Sequence, residues 1–214
     1  MPDSRTSFKR LTRIEAEDAL YIDFEGGKNQ SPVLIGVLRR QGRGPEPFVR
    51  QVVLDADFRP LTGEVLTLRA VVENIVRRAE ARNRRIVSWS RHDLRVVQGL
   101  RDEDPALVAR FERRYADGRS IAERWTSTAR QAERPADGSL AGYLQFIGYV
   151  APADAAPDQV GETIRRLRPR LRRGHALTPN QRQRWQRLLA HNRHDCAGMR
   201  AVCLRATEEL DAVA

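Results

Sequence analysis

The stretch Leu20-Tyr21-Ile22-Asp23-Phe24-Glu25 restricts the possible folds most. Leu20, Ile22 and Phe24 alternate with Tyr21, Asp23 and Glu25, the period-two pattern of a β-strand with one buried face. Residues two apart on a strand share a face, so Asp23 and Glu25 present two carboxylates side by side. Adjacent carboxylates repel and raise each other's pKa, so that face is either wet or shared with a cation. Two more apolar runs follow: Pro32 to Arg39, holding Val33, Leu34, Ile35, Val37 and Leu38, and Phe48 to Leu54. The turn-rich Gly42-Arg43-Gly44-Pro45-Glu46-Pro47 separates them, and short turns between successive strands predict an antiparallel meander. Gly26-Gly27 has no helix after it and lacks GxGxxG spacing, which argues against a dinucleotide loop.

Beyond the meander the apolar period becomes helical. Gly63 to Asn83 is predicted as a helix with Leu66, Ala70, Val71, Ile75 and Val76 on one side. Arg85 to Ser90 reads as a short strand running into His92-Asp93 and a helix from Leu94 to Leu100. Pro105 to Tyr115 and Ser120 to Ala129 read as helices around Asp117-Gly118, Ser139 to Ile147 as a further segment, and Ala151 to Asp158 as a loop. This order predicts an α/β fold with helices on a mixed sheet. Residues 1–16 are expected to be a flexible arm and 17–214 a single domain.

The final segment is the best signposted. Thr178 is a natural N-cap with Pro179 after it. Leu188, His191, Asp195, Met199, Val202 and Ala206 then fall at steps of three and four, with Gly198 as a possible break. Asp195 therefore lies on the apolar stripe, where a carboxylate is costly unless an arginine or a metal partners it. With Asp93 after the later strand, four acids stand at structurally special places: Asp23, Glu25, Asp93 and Asp195. Carboxylate oxygens suit magnesium and manganese. Two such ions about 4 Å apart can activate a water and stabilise a leaving phosphodiester oxygen.

The pattern resembles the ribonuclease H-like fold, and within it the DEDD exonucleases. Their Asp-x-Glu strand is matched by Tyr21 to Gly26. Their second acid is matched more loosely by Asp93 in Val87-Ser88-Trp89-Ser90-Arg91-His92-Asp93, and their last by His191-Asn192-Arg193-His194-Asp195. The chain is most similar to the predicted ribonuclease H-like nucleases labelled RecB-family, with their Tyr-Asn-x-x-Asp segment; Ser139-Leu140-Ala141-Gly142-Tyr143 looks like their middle segment. The resemblance implies a sheet made of an antiparallel three-strand meander followed by parallel strands. It also implies two magnesium or manganese ions on Asp23, Glu25, Asp93 and Asp195, and 3′-5′ exonuclease chemistry on DNA or RNA. His191 stands where the family has Tyr, and as a neutral imidazole it is the candidate general base. The alternative is a nucleic-acid-binding or assembly module that keeps the fold without turnover.

Charge and composition agree with a nucleic-acid partner. Lys and Arg number 38 against 28 Asp and Glu, a net charge of +10, which suits a polyanion. The most basic stretch, Gly161 to Arg173, is either a solvated face or a grip on phosphates. Lys28, Asn29, Trp89 and His92 are weaker substrate-contact candidates; a plain turn accounts equally for the first two, and core packing for Trp89. No stretch has the roughly 18 consecutive apolar residues of a membrane span, and Met1 to Arg13 lacks the apolar run of a secretory signal. Cys196 and Cys203 lie two helical turns apart, too far to bridge. A reduced, cytoplasmic protein with no membrane partner is the expectation.

Overall fold

The computed structural model describes residues 10–26, 31–40, 47–130, 134–135, 137–150 and 160–213. Five strands form one open sheet: β1 (Leu20–Glu25), β2 (Leu34–Arg40), β3 (Pro47–Val53), β4 (Ile86–Ser88) and β5 (Tyr115–Asp117), in the order β3-β2-β1-β4-β5. β1, β2 and β3 pair antiparallel, whereas β4 runs parallel to β1 and β5 parallel to β4. The α/β class and the mixed sheet flanked by helices are therefore as the sequence predicts.

Alternation along β1 sends its residues into two helical layers. Leu20, Ile22 and Phe24 enter a core with Val71, Val72, Ile75 and Val76 of α2 (Leu68–Ala81), Leu94 and Val97 of α3 (Arg91–Gln98), and Val108 and Phe111 of α4 (Pro105–Arg114). Tyr21 points the other way, into a core with α5 (Gly118–Thr128), α6 (Leu140–Phe146) and the long α8 (Pro179–Ala212). A third cluster joins Phe58 of a 3-10 turn (Ala56–Leu61) and Ile164, Leu167 and Leu171 of α7 (Val160–Arg172) to Trp185 and Leu188 of α8. No helix among the described residues is long and apolar enough to cross a membrane.

Several boundaries differ from the sequence reading, each for a local reason. Arg13–Asp18 forms a helix, α1, closed by a Thr12–Glu15 capping box. Ala16 is fully buried there, and the Tyr21 hydroxyl donates to its carbonyl at 2.7 Å. From Leu11, which is buried in the core, the chain is not the loose arm expected through Ala16; residues 1–9 lie outside the described residues, as does the loop expected at Ala151 to Asp158. Tyr115, predicted at the end of a helix, instead starts β5, three residues buried on both faces and too short to show a period. The helix expected from Gly63 begins only at Leu68, where Thr67 caps it, and that expected from Leu94 begins at Arg91, capped by Ser90. α8 runs unbroken through Gly198, whose missing side chain makes room for Leu144: a Cβ there would lie 2.9 Å from both Leu144 methyl carbons. The basic stretch is an amphipathic helix, α7, with part of its charge neutralised; Arg168 pairs with Asp55 at 2.8 Å and Arg172 with Asp57 at 2.7 Å.

Candidate active site

Asp23 and Glu25 project from β1 toward α8, and the sheet beneath them is built for close approach. Gly36 on β2 is the register partner of Asp23. A Cβ at that position would stand 2.3 Å from Asn192 Oδ1 and 2.9 Å from Cys196 Sγ, so only glycine leaves room for α8 at this height. Asn192 uses that room. Its Nδ2 donates to Asp23 Oδ2 at 2.8 Å and to the Asp23 carbonyl at 3.0 Å. Its Oδ1 accepts from Gln51 Nε2 at 3.0 Å, and the same Gln51 nitrogen donates to the Leu189 carbonyl at 2.7 Å. β1, β3 and α8 are locked to one another through the carboxylate of Asp23.

Asp93 comes from the opposite side. β4 ends at Ser88, and its pairing with β1 covers only Leu20 and Tyr21. The Phe24 N–H is left without a strand partner on that side, and Asp93 Oδ1 accepts it at 3.1 Å. Ser90 caps α3 and so holds Asp93 in the first helical turn, pointing back at β1. Asp195 arrives from α8, with His191 one turn before it; His191 Nε2 lies 3.5 Å from Asp195 Oδ2. The Nδ1 of His191 is buried and has no hydrogen-bond partner among the described residues. His194, next to Asp195 in the sequence, stacks on Tyr149 with ring centroids 5.4 Å apart and the rings at 10°.

All four carboxyls are pushed above their ordinary range, chiefly by burial. Glu25 goes furthest, to about 10, because Asp23, Asp195 and Asp93 add their repulsion. Burial and the charge of Asp23 raise Asp93 to about 8, and burial raises Asp195 to about 7. Burial and Asp195 raise Asp23 only to about 6, because hydrogen bonds from Glu25 and Asn192 hold it back. Asp23 and Glu25 are hydrogen-bonded to each other, and of the two Glu25 is pushed up the more. The Glu25 oxygen Oε1 is buried without a hydrogen-bond partner among the described residues. No arginine or lysine ion-pairs with any of the four among the described residues, so the arginine partner weighed for Asp195 is absent there.

Four carboxyls, two buried and two partly buried, with no arginine or lysine partner among the described residues and one orphaned oxygen, fit a hard divalent ion chemically. Their arrangement is not yet that of a bound ion: no group of three or more His, Cys, Asp or Glu side chains among the described residues stands at metal-holding geometry. The hydrogen bond between Asp23 and Glu25 is one reason.

Lys28 and Asn29 lie outside the described residues. Trp89 donates from its indole N–H to the Gly138 carbonyl at 3.3 Å and packs edge-on against Tyr143, so its ring is engaged in packing. His92 is exposed in the first turn of α3. Sequence reasoning missed Asn192, Gln51 and Gly36. Asn192 carried a signal, three residues before Asp195 on the same side of the helix; Gln51 and Gly36 carried none, because their part depends on strand register. Comparison of the chain with protein families, curated proteins and solved structures finds no match.

Proposed function

We propose that this protein is a metal-dependent nuclease of the ribonuclease H-like, DEDD-exonuclease kind, hydrolysing phosphodiester bonds of DNA or RNA from a 3′ end. One observation carries the reading: acids from β1, α3 and α8 stand close enough to raise one another's pKa, and no arginine or lysine among the described residues ion-pairs with them. The meander followed by parallel strands is the layout that the resemblance implies, and it supports the same reading. Asp23, Glu25, Asp93 and Asp195 would hold the magnesium or manganese. A bound pair of such ions supplies activation of water and stabilisation of charge on the leaving oxygen.

The chain's own residues do the rest. Asn192 and Gln51 fix the rotamer of Asp23, and the Phe24 N–H fixes that of Asp93. His191 is the base: its Nε2 takes up the proton of the attacking water, and the adjacent Asp195 stabilises the imidazolium so formed. Cleavage of single-stranded and duplex oligonucleotides in manganese, compared with Asp23→Asn, tests the proposal. Loss of one charge-stabilising group of this kind costs about 100- to 1,000-fold in rate, and undiminished cleavage by the variant would overturn the reading.

The Asp23–Glu25 hydrogen bond favours a second reading, a fold that binds nucleic acid without turnover. Calorimetric titration with manganese separates the two. Binding that Asp195→Asn abolishes supports the nuclease, and no binding by the parent supports the module.

A further inference from the structure

The layer opposite the acids holds a second cluster of like charges, and these are basic. Val37, Arg39, Arg50 and Val52 face α2 from β2 and β3, because residues of the same parity, Val37 and Val52, enter the core beneath that helix. Arg78 of α2 closes over them; Arg39, Arg50, Asn74 and Arg78 line a single apolar-floored groove with Val37 and Val52 at its base. Arg77 and Arg82 stand close enough to act on Arg78, whose pKa is lowered by burial and by four neighbouring guanidiniums, Arg39, Arg50, Arg77 and Arg82. Asn74 Oδ1 accepts from Arg77 at 3.2 Å and Arg78 at 3.1 Å, and so holds both in place. Among the described residues the one acidic contact in the group is Arg50 with Glu64, 3.8 Å apart on side chains 41% and 65% exposed, a pairing too loose and wet to neutralise it.

Beside these arginines sits a half-exposed apolar ring. Phe48 is 51% exposed at the start of the edge strand β3. It is the register partner of Arg39 and lies two residues from Arg50 on the same face. Cross-strand partners have Cβ atoms about 5 Å apart, so the ring lies among the guanidiniums. A charged edge also discourages unwanted strand pairing, but one or two charges suffice for that. Among the described residues five guanidiniums stand against one distant carboxylate and repel one another, and an exposed aromatic adds nothing to edge protection.

A basic groove with an aromatic platform is the combination that holds single-stranded nucleic acid, phosphates on the cations and a base on the ring. We propose that the β2–β3–α2 face is a binding site for single-stranded nucleic acid, separate from the acid cluster, with Phe48 stacking a base and Arg39, Arg50 and Arg78 gripping the flanking phosphates. The inference rests on the nucleic-acid part of the proposed function but not on catalysis. Asp23, Glu25 and Asp195 lie on the α8 face of the sheet, so the site anchors a strand away from the bond to be cut.

Fluorescence anisotropy of labelled oligo(dT) and oligo(U) on Asp23→Asn protein measures the site without cleavage. Phe48→Ala is expected to weaken binding about tenfold or more, the usual loss of one stacked base. Arg39→Gln with Arg50→Gln is expected to weaken it and to flatten the salt dependence by about 1.4 in slope, two phosphate contacts' worth. Both substitutions lie at the surface, and thermal unfolding verifies that each variant is folded. Affinity within about twofold of the parent for either folded variant would overturn the proposal. So would equal displacement of the oligonucleotide by polyphosphate with Phe48→Ala silent, which would mark a general polyanion site. Failure of the nuclease reading shows instead in the cleavage assay, which this measurement does not use.

Discussion

At the scale of single residues, the site depends on a glycine as much as on its acids. Gly36→Ala would set a methyl 2.3 Å from Asn192 Oδ1, so Asn192 must swing away or α8 must lift. Overpacking of this kind costs about 1–3 kcal/mol, which urea denaturation would register, with loss of manganese affinity as the companion effect. Asn192→Ala removes the donor that holds Asp23 charged. Deletion of such supporting groups commonly costs about 10- to 100-fold in metal affinity, and calorimetry checks it. The acids themselves were legible in the sequence because a charge at an apolar period, like Asp195, is conspicuous. Gly36 and Gln51 were not, because nothing local distinguishes a glycine that meets a helix about 160 positions later from a glycine in a turn.

At the scale of elements, the strongly periodic segments were legible and the short ones were not. α8 announces itself through Thr178, Pro179 and its stripe, whereas β5 spans three residues and is defined by its neighbours on both sides. The acid-bearing half of α8 is far from its start: Asp195 lies in the seventeenth helical residue counted from Pro179, about 24 Å along the axis at 1.5 Å per residue. Thr178→Ala removes the capping box and should cost about 1 kcal/mol of stability. Manganese affinity and cleavage should stay unchanged, since the damage is confined to the first turn. A large loss of either would mean that α8 moves as one rigid rod against the sheet. The basic stretch of α7 shows the limit of composition: its charge suggested phosphates, yet Asp55 and Asp57 engage two of its arginines, and the uncompensated arginines stand elsewhere.

At the scale of the whole molecule, the acid cluster makes stability depend on pH with a definite sign. Unfolded Asp and Glu titrate near pH 4, whereas these four in the folded chain titrate between about 6 and about 10. The folded state therefore binds more protons across that window, and its stability falls as pH rises through it. Glu209 acts in the opposite sense, held at about 2 chiefly by Arg130, but only in stronger acid. In chelator, the melting temperature should be higher near pH 5 than near pH 8. Manganese should recover much of the loss at the higher pH, and Glu25→Gln should flatten the profile. A melting temperature that rises between those two values in the parent would contradict the shared burial of the acids.

The lengths of two neighbouring strands have a consequence of their own. β1 has six residues and its parallel neighbour β4 has three. That mismatch leaves a backbone donor at Phe24 with an unfilled valence, which a carboxyl fills. Lengthening β4 by a single turn of the ladder would satisfy the donor with main chain and evict Asp93. A sheet that keeps this uneven hem keeps a seat for an acid beside Asp23 and Glu25, whatever residue precedes it in the loop.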